Sequence, residues 1–208
     1  MLHYSTIEPH TLDILKKLMH LPELDDFLLV GGTALSLYYG HRLSIDIDLF
    51  STATFDKEAL IPTLEKRFPG FTYANSPNPL GLFAFIDNIK VDLVNYHNNP
   101  PIATPFVENG LRLTSLSDIM AMKVAAILKR AVKKDFWDIS ELLNHYTIED
   151  IINNYNKKYP NQQLLISIPQ ALTYFADAEE SEEPVSLKGQ TWGKVKKHIQ
   201  DKVNAFLK

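Results

Sequence analysis

Two aspartates, Asp46 and Asp48, stand in the run Ile45-Asp-Ile-Asp-Leu-Phe50, where apolar residues alternate with others. That period reads as a strand with Ile45, Ile47 and Leu49 on one face and Asp46, Asp48 and Phe50 on the other. Carboxylates two residues apart on a strand project side by side and repel unless a cation sits between them. A hard divalent ion with oxygen ligands meets that need. Mg²⁺, or Mn²⁺ in its place, keeps several waters and takes one or two carboxylates together with substrate phosphates. An Asp-x-Asp pair taken alone more often marks an exposed, merely polar strand face, so its meaning is decided by its surroundings.

Three neighbours bear on it. Gly31-Gly32-Thr33 follows the apolar run Phe27-Leu-Leu-Val30 and opens a short helical stretch. Glycines at such a junction let the backbone approach a phosphate, and the free amides of a helix start favour an anion. Asp92, in Ile89-Lys-Val-Asp-Leu-Val94, lies on the opposite face from Ile89, Val91 and Leu93, and a neighbouring strand would carry it towards Asp46 and Asp48. Three carboxylates meeting there would hold two metals, one at an attacking and one at a leaving oxygen. Ser44 shares the face of Asp46.

Further along, Lys123 falls in the apolar helical stretch Met122 to Ala126, as a phosphate-binding cation or as a lysine reaching out of a buried helix. Asp135 has the plain alternative of a helix-capping or first-turn acid, and Asp138, three residues on, shares its face. Arg42 reads equally as a phosphate contact or a surface charge. The seven histidines show no metal-ligand spacing, and neither His-Glu-x-x-His nor Gly-x-Ser-x-Gly occurs. His145 reads as a cap or surface residue.

The elements that must position these residues follow from periodicity. A first helix begins after Thr6, with Pro9 near its start and Leu12, Leu15, Leu18 and Met19 along one side. Phe27 to Val30 is a strand, and a helix from Thr33 to Tyr39 is closed by Gly40 in a left-handed cap. Another helix spans Asp56 to Phe68. A Pro/Asn/Gly-rich turn from Asn75 to Gly81 precedes two strands, Leu82 to Ile86 and Ile89 to Val94, joined at Asp87-Asn88 as a hairpin. Residues 95–110, with three prolines, read as a loop. Helices are expected at 117–131, 135–145, 164–176 and 192–207, the last with a stripe of Trp192, Val195, Ile199, Val203 and Phe206. Sheet-forming elements first and helices after imply an α+β protein: a mixed β-sheet core over residues 1–113, flanked by helices, and a helical part over 114–208 that completes the site.

Composition narrows the class. The 208 residues, 45% hydrophobic, suffice for one well-buried core. A net charge of −4 does not advertise a nucleic-acid binder. Without cysteine there is no disulfide framework and no thiol catalysis. No apolar run approaches the roughly 18 to 20 residues of a membrane span, and the start lacks the order of a signal peptide. The expectation is a cytoplasmic protein with no membrane partner.

The string Val30-Gly-Gly-Thr-Ala-Leu-Ser-Leu-Tyr-Tyr-Gly-His-Arg-Leu-Ser-Ile-Asp-Ile-Asp-Leu-Phe-Ser51 resembles the first motif of the polymerase-β-type nucleotidyltransferase superfamily. It looks like the AbiEii/AbiGii branch, whose members include toxins of toxin–antitoxin and phage-abortive-infection systems. Ser117-Asp-Ile-Met-Ala-Met-Lys123 with Lys133-Lys-Asp-Phe-Trp-Asp138 is similar to the branch's downstream Lys and Asp motifs. Tyr174-Phe-Ala-Asp-Ala-Glu-Glu180 with Pro184-Val-Ser-Leu-Lys-Gly-Gln-Thr-Trp192 is similar to its ending. The likeness runs from about residue 27 to 200.

The resemblance implies metal ligation by Asp46 and Asp48, and a place near an NTP triphosphate for Gly31, Gly32 and Thr33, with Ser44 beside them. Lys123 would contact phosphates and offset charge on the leaving pyrophosphate. Asp135 would fill the late acidic position, with Asp138 as its alternative. Thr33 stands where the superfamily commonly has Ser; the hydroxyl survives and the methyl adds bulk. In some toxin members a serine placed like Ser44 is itself modified, which would make autoregulation a property of this chain.

The implied reaction is attack by an acceptor on the α-phosphorus of an NTP, with release of pyrophosphate. An RNA acceptor such as a tRNA 3′ end would suit two basic groups if both border the Asp46 cleft. These are Lys129, Arg130, Lys133 and Lys134, and then Lys188, Lys194, Lys196, Lys197 and Lys202; otherwise they are solvated helix faces. A cognate antitoxin is the implied protein partner. The rivals are a nucleotidyltransferase that attaches AMP to a protein hydroxyl, a non-catalytic nucleotide-binding regulatory module, and an antitoxin-like component that acts by binding.

Overall fold

Short alternating runs, each too weak to stand alone, close into one sheet of β1 (Phe27–Leu29), β2 (Ile47–Ser51), β3 (Phe71–Tyr73), β4 (Gly81–Ile86), β5 (Ile89–Asn95), β6 (Phe106–Glu108) and β7 (Leu111–Leu113). The computed structural model describes residues 1–74 and 78–208 and gives the spatial order β3-β4-β5-β2-β1-β7-β6. β2 runs antiparallel to β1 and parallel to β5, and β7 runs parallel to β1, so the sheet is mixed and the protein α+β, as expected. The turn expected from Asn75 falls in part on residues 75–77, outside the described residues.

Around the sheet lie α1 (Pro9–Met19), α2 (Gly31–Tyr39), α3 (Lys57–Arg67), α4 (Leu116–Arg130), α5 (Lys133–Leu142), α6 (Ile148–Lys158), α7 (Ile168–Thr173) and α8 (Trp192–Phe206). Leu35, Ile47, Leu93, Val124, Ile139 and Ile199, drawn from sheet and helices alike, belong to one buried cluster. No described helix is long and apolar enough to cross a membrane.

Burial sets the register of the strands that matter most. Ile47 pairs with Val91 and Leu49 with Leu93, all four buried in the core. A slip by one residue would turn these aliphatics to the other face, forfeiting about 1.5–3 kcal/mol for each, and would drive carboxylates inward at greater cost. The same register therefore sets Asp48 beside Asp92.

The strand begins at Ile47 rather than Ile45, because residues 41–46 pair elsewhere. Leu43 N–H donates to the Val185 carbonyl, Leu187 N–H to the His41 carbonyl, and Ser44 N–H to the Thr6 carbonyl. Ile45, expected to face the core, is 67% exposed on this segment.

Turn chemistry explains the hairpins. Asp87 and Asn88 both have positive φ (50° and 66°), the geometry of the two-residue turn expected between β4 and β5. Asn109 and Gly110 (50° and 78°) make a second such turn inside a stretch expected to end as loop, and it joins β6 to β7. α6 was absent from the expected helices, although Thr147 and Asp150 form a capping box at its start and Ile148, Ile151 and Tyr155 are buried along it. α7 is shorter than the expected 164–176: a Ser167–Gln170 capping box starts it, and extended Tyr174 ends it. The α8 stripe is buried from Trp192 to Val203, whereas Phe206 lies exposed.

The Thr147 hydroxyl accepts from the Asp150 amide while the Asp150 carboxylate accepts from Thr147. Thr147→Ala is expected to lower stability by about 1 kcal/mol, read as a shifted urea midpoint at unchanged slope.

Candidate active site

The chain leaves β1 and enters α2 through Gly31, whose φ of +69° favours glycine. A Cβ at Gly31 would lie 2.9 Å from Asp48 Oδ2, and one at Gly32 would lie 2.0 Å from Arg42 Nη2. Both glycines are thus required by close approach, the first to the carboxylate and the second to a guanidinium. Val30 N–H donates to the Asp48 carbonyl at 2.9 Å, tying the turn to β2. The amides opening α2 therefore begin directly beside Asp48.

Thr33 and Ser44 are both buried, and their hydroxyls lie 2.8 Å apart. Thr33 Oγ1 also donates to the Asp46 carbonyl at 2.5 Å. As they stand, both expected triphosphate contacts hold the segment that carries Asp46.

Asp48 and Asp92 are neighbours across β2 and β5, and Asp46 precedes β2 by one residue. Lys90 Nζ donates to Asp92, and Lys134 Nζ lies 3.4 Å from Asp46 Oδ2. Burial pushes the Asp48 carboxyl above its ordinary range; Lys90 opposes this, and Asp92 and Asp46 add to it. Asp92 Oδ1 is buried with no hydrogen-bond partner. Hard oxygen donors, a lone carboxylate oxygen and lysines already standing at two of the three acids fit a divalent cation at Asp48 and Asp92. The third expected ligand, Asp46, faces Lys134, and among the described residues no three acidic or imidazole groups form a ready metal cluster.

Behind this lies a buried ionic network. Ala131, at a φ of 40°, turns the chain sharply between α4 and α5 and brings Lys123 against two acids on one face of α5. Asp138 receives Arg42 Nε at 2.7 Å, Arg42 Nη2 at 2.9 Å and Lys123 Nζ at 2.5 Å, with His41 Nε2 at 2.7 Å. Asp135 receives Lys123 at 3.0 Å and Arg130 Nε at 3.0 Å. Burial alone would raise the Asp138 carboxyl, but Arg42 and Lys123 hold it well below the usual carboxylate range. Its contribution to stability is thus present above the ordinary Asp value and lost only as pH falls through that depressed one.

This corrects two readings. Arg42 is not a surface charge but the buried partner of Asp138. Lys123 does not reach outward: it is 4% exposed, and Asp138 and Asp135 hold its ammonium above its ordinary pKa against the depressing effect of burial. Asp135 and Asp138, offered as alternatives, occupy the network together. Reading the sequence missed His41, whereas the three-residue spacing of the acids did place both on one face, where they hold Arg42, Lys123 and Arg130.

Of the first basic group, Lys134 stands at Asp46 and Arg130 at Asp135, while Lys133 pairs with Glu183. In the second, Lys188 pairs with Glu141, Lys196 with Glu179, and Lys194 donates to the Gly189 carbonyl. Two concavities, of about 510 Å³ at Asn98–Ile102 with Lys157–Gln163 and about 670 Å³ between α7 and α8, contain none of the expected residues.

Comparison with known proteins follows the same lines. The family model described as nucleotidyl transferase AbiEii toxin, type IV toxin–antitoxin system, matches residues 13–80 and 83–206. An uncharacterized protein of Aquifex aeolicus (strain VF5) is 32% identical over 211 residues, spanning 94% of this chain and 95% of the relative. Similar solved structures include an H. pylori protein provisionally described as a nucleotidyltransferase, 17% identical with a TM-score of 0.59 over 95% of each chain. The nucleotidyltransferase toxin MenT4 of Mycobacterium tuberculosis H37Rv is 15% identical with a TM-score of 0.56, over 91% of this chain and 81% of that one. At such identities the structural likeness concerns the fold.

The network and the surface contact differ in worth. Asp138→Asn leaves the buried Arg42 without its anion and is expected to lower unfolding free energy by about 3–5 kcal/mol. Lys134→Ala, which removes a half-exposed pair, is expected to change it by less than about 1 kcal/mol. Urea unfolding of both variants beside the parent chain reads the contrast.

Proposed function

Because the chain belongs to the AbiEii nucleotidyl transferase toxin family, we propose that it transfers an NMP group from an NTP to an RNA acceptor such as a tRNA 3′ end. The observation that carries this reading is the pairing of Asp48 with Asp92 directly beside the Gly31-Gly32 turn. A nucleotide's phosphates suit the amides that open α2, where the two glycines themselves carry no side chain. The acceptor hydroxyl oxygen forms a bond to the α-phosphorus, the bond from that phosphorus to the β-phosphate bridging oxygen breaks, and pyrophosphate leaves. The hydroxyl proton passes to solvent.

A divalent ion such as Mg²⁺ or Mn²⁺, bound by Asp48 and Asp92 with Asp46 adjoining, would supply polarisation of the phosphate oxygens and offset their charge. Thr33 and Ser44 hold the Asp46 segment, and the Arg42 guanidinium lies against Gly32. Lys134 and Arg130 give the rim a positive charge that suits the phosphates of an RNA acceptor. Such a toxin would act in the cytoplasm, where NTPs and tRNA meet, opposed by a cognate antitoxin.

Incubation with each α-labelled NTP, Mg²⁺, total tRNA and a cell extract tests the reading. Label is expected in the RNA band, reduced on the order of 10²–10³-fold in Asp48→Asn, as when one preorganised charge-stabilising group is removed. Chelation with EDTA is expected to abolish transfer, and added Mg²⁺ to restore it. Label confined to a protein band would replace the RNA acceptor with a protein hydroxyl. NTP binding without transfer would sink the enzymatic reading.

A further inference from the structure

We propose that Phe83 and Phe85 of β4 form a stacking platform for the terminal bases of a single-stranded RNA acceptor; this rests on the transfer reading above. Leu82, Ala84 and Ile86 are buried in the core, so strand alternation sends Phe83 and Phe85 to the opposite face. Phe85 is 49% exposed and Phe83 half-buried. Across the hairpin Phe83 pairs with Asp92 and Phe85 with Lys90. Asp92 in turn pairs with Asp48, so Phe83, Asp92 and Asp48 form one row across three adjacent strands.

The order of the strands gives this row a direction. The glycine turn abuts Asp48 from the β1 side, and β5 with β4 lies on the other side of β2. Phosphates held at the start of α2 place the leaving pyrophosphate towards β1. In-line displacement then requires the attacking oxygen to arrive from the β5 side, where the two phenylalanines stand. Adjacent strands lie about 4.8 Å apart, so Phe83 sits roughly 10 Å from Asp48, within the reach of the last nucleotides of a strand whose end lies at the acids.

The chemistry there suits nucleotides. An exposed aromatic face stacks any base, and Lys90 beside Phe85 offers a cation for the linking phosphate. Lys90 also pairs with Asp92, so one side chain joins the platform to the acids. A core role does not account for Phe85, whose ring remains half in solvent.

Two measurements on the full chain test the platform. The first is fluorescence anisotropy of labelled single-stranded oligo(A) and oligo(C) RNA on the parent chain, Phe83→Leu and Phe85→Leu. The second is KM for the RNA acceptor, measured beside NTP affinity without acceptor. Leucine keeps the site apolar and removes the flat ring. Oligonucleotide affinity is expected to fall, and acceptor KM to rise, on the order of 5- to 150-fold, equivalent to the about 1–3 kcal/mol of one base stack. NTP affinity should stay within about twofold, and Phe85→Trp should restore RNA binding.

Unchanged RNA binding in both leucine variants, or a parallel loss of NTP affinity, would overturn the platform. Transfer to RNA at unchanged KM would remove the platform and leave the transfer reading standing. Phe85-dependent RNA binding without any transfer would do the reverse.

Discussion

Asp138 is an anion with no access to water, and its neighbourhood is arranged around that fact. Bringing a carboxylate out of water costs several kcal/mol, and only close cations and good hydrogen bonds offset it. Arg42 comes from the segment after α2, Lys123 from α4, and Asp138 itself from α5. Three parts of the chain distant in sequence are therefore held at one point by a charge that tolerates no loosening. The Arg42 guanidinium fills the space that a side chain at position 32 would need, so the shape of the glycine turn is tied to the same point. Unlike apolar packing, which accepts many arrangements of similar volume, this network specifies one.

In front of it, the sheet supplies an axis. Glycine turn, Asp48, Asp92 and the β4 aromatics follow one another across β1, β2, β5 and β4, as the register of buried aliphatics dictates. Packing energetics thus set the positions of groups that take no part in packing. The acids repel one another, and the lysines beside them moderate that repulsion without forming a closed cage. The proposed transfer, in which a triphosphate enters and pyrophosphate leaves, is better served by such a partly compensated charge than by a fully paired one.

Much of this was legible in the sequence, for identifiable reasons. Asp48 and Asp92 could be placed on a common face because strand alternation is strict and both flanking sets are aliphatic. The Asp87-Asn88 turn could be read because few residue pairs tolerate two positive φ values. Asn109-Gly110 carries the same signal, but its strands are three residues long and follow a proline-rich stretch that reads as loop. Ile45 was misplaced because alternation continues past the point where pairing changes partner, and only a contact with residues 185–187 reveals the change. Arg42 and Lys123 were ambiguous for a related reason: a charged residue discloses its role through its partners, and theirs lie far away in sequence. No local pattern marks His41 as one of them.

The segment that carries Asp46 is supported by residues distant from it in sequence on both sides. Ser44 is bound to the Thr6 carbonyl, and Leu43 and His41 are bound to Val185 and Leu187. These hydrogen bonds join segments that lie far apart in sequence. The contact at residues 185–187 thus braces the loop between the glycine turn and the acids. Loosening of the segment around residues 185–187 would therefore remove one support of the loop that carries Asp46, while the Val30–Asp48 hydrogen bond still ties the glycine turn to β2.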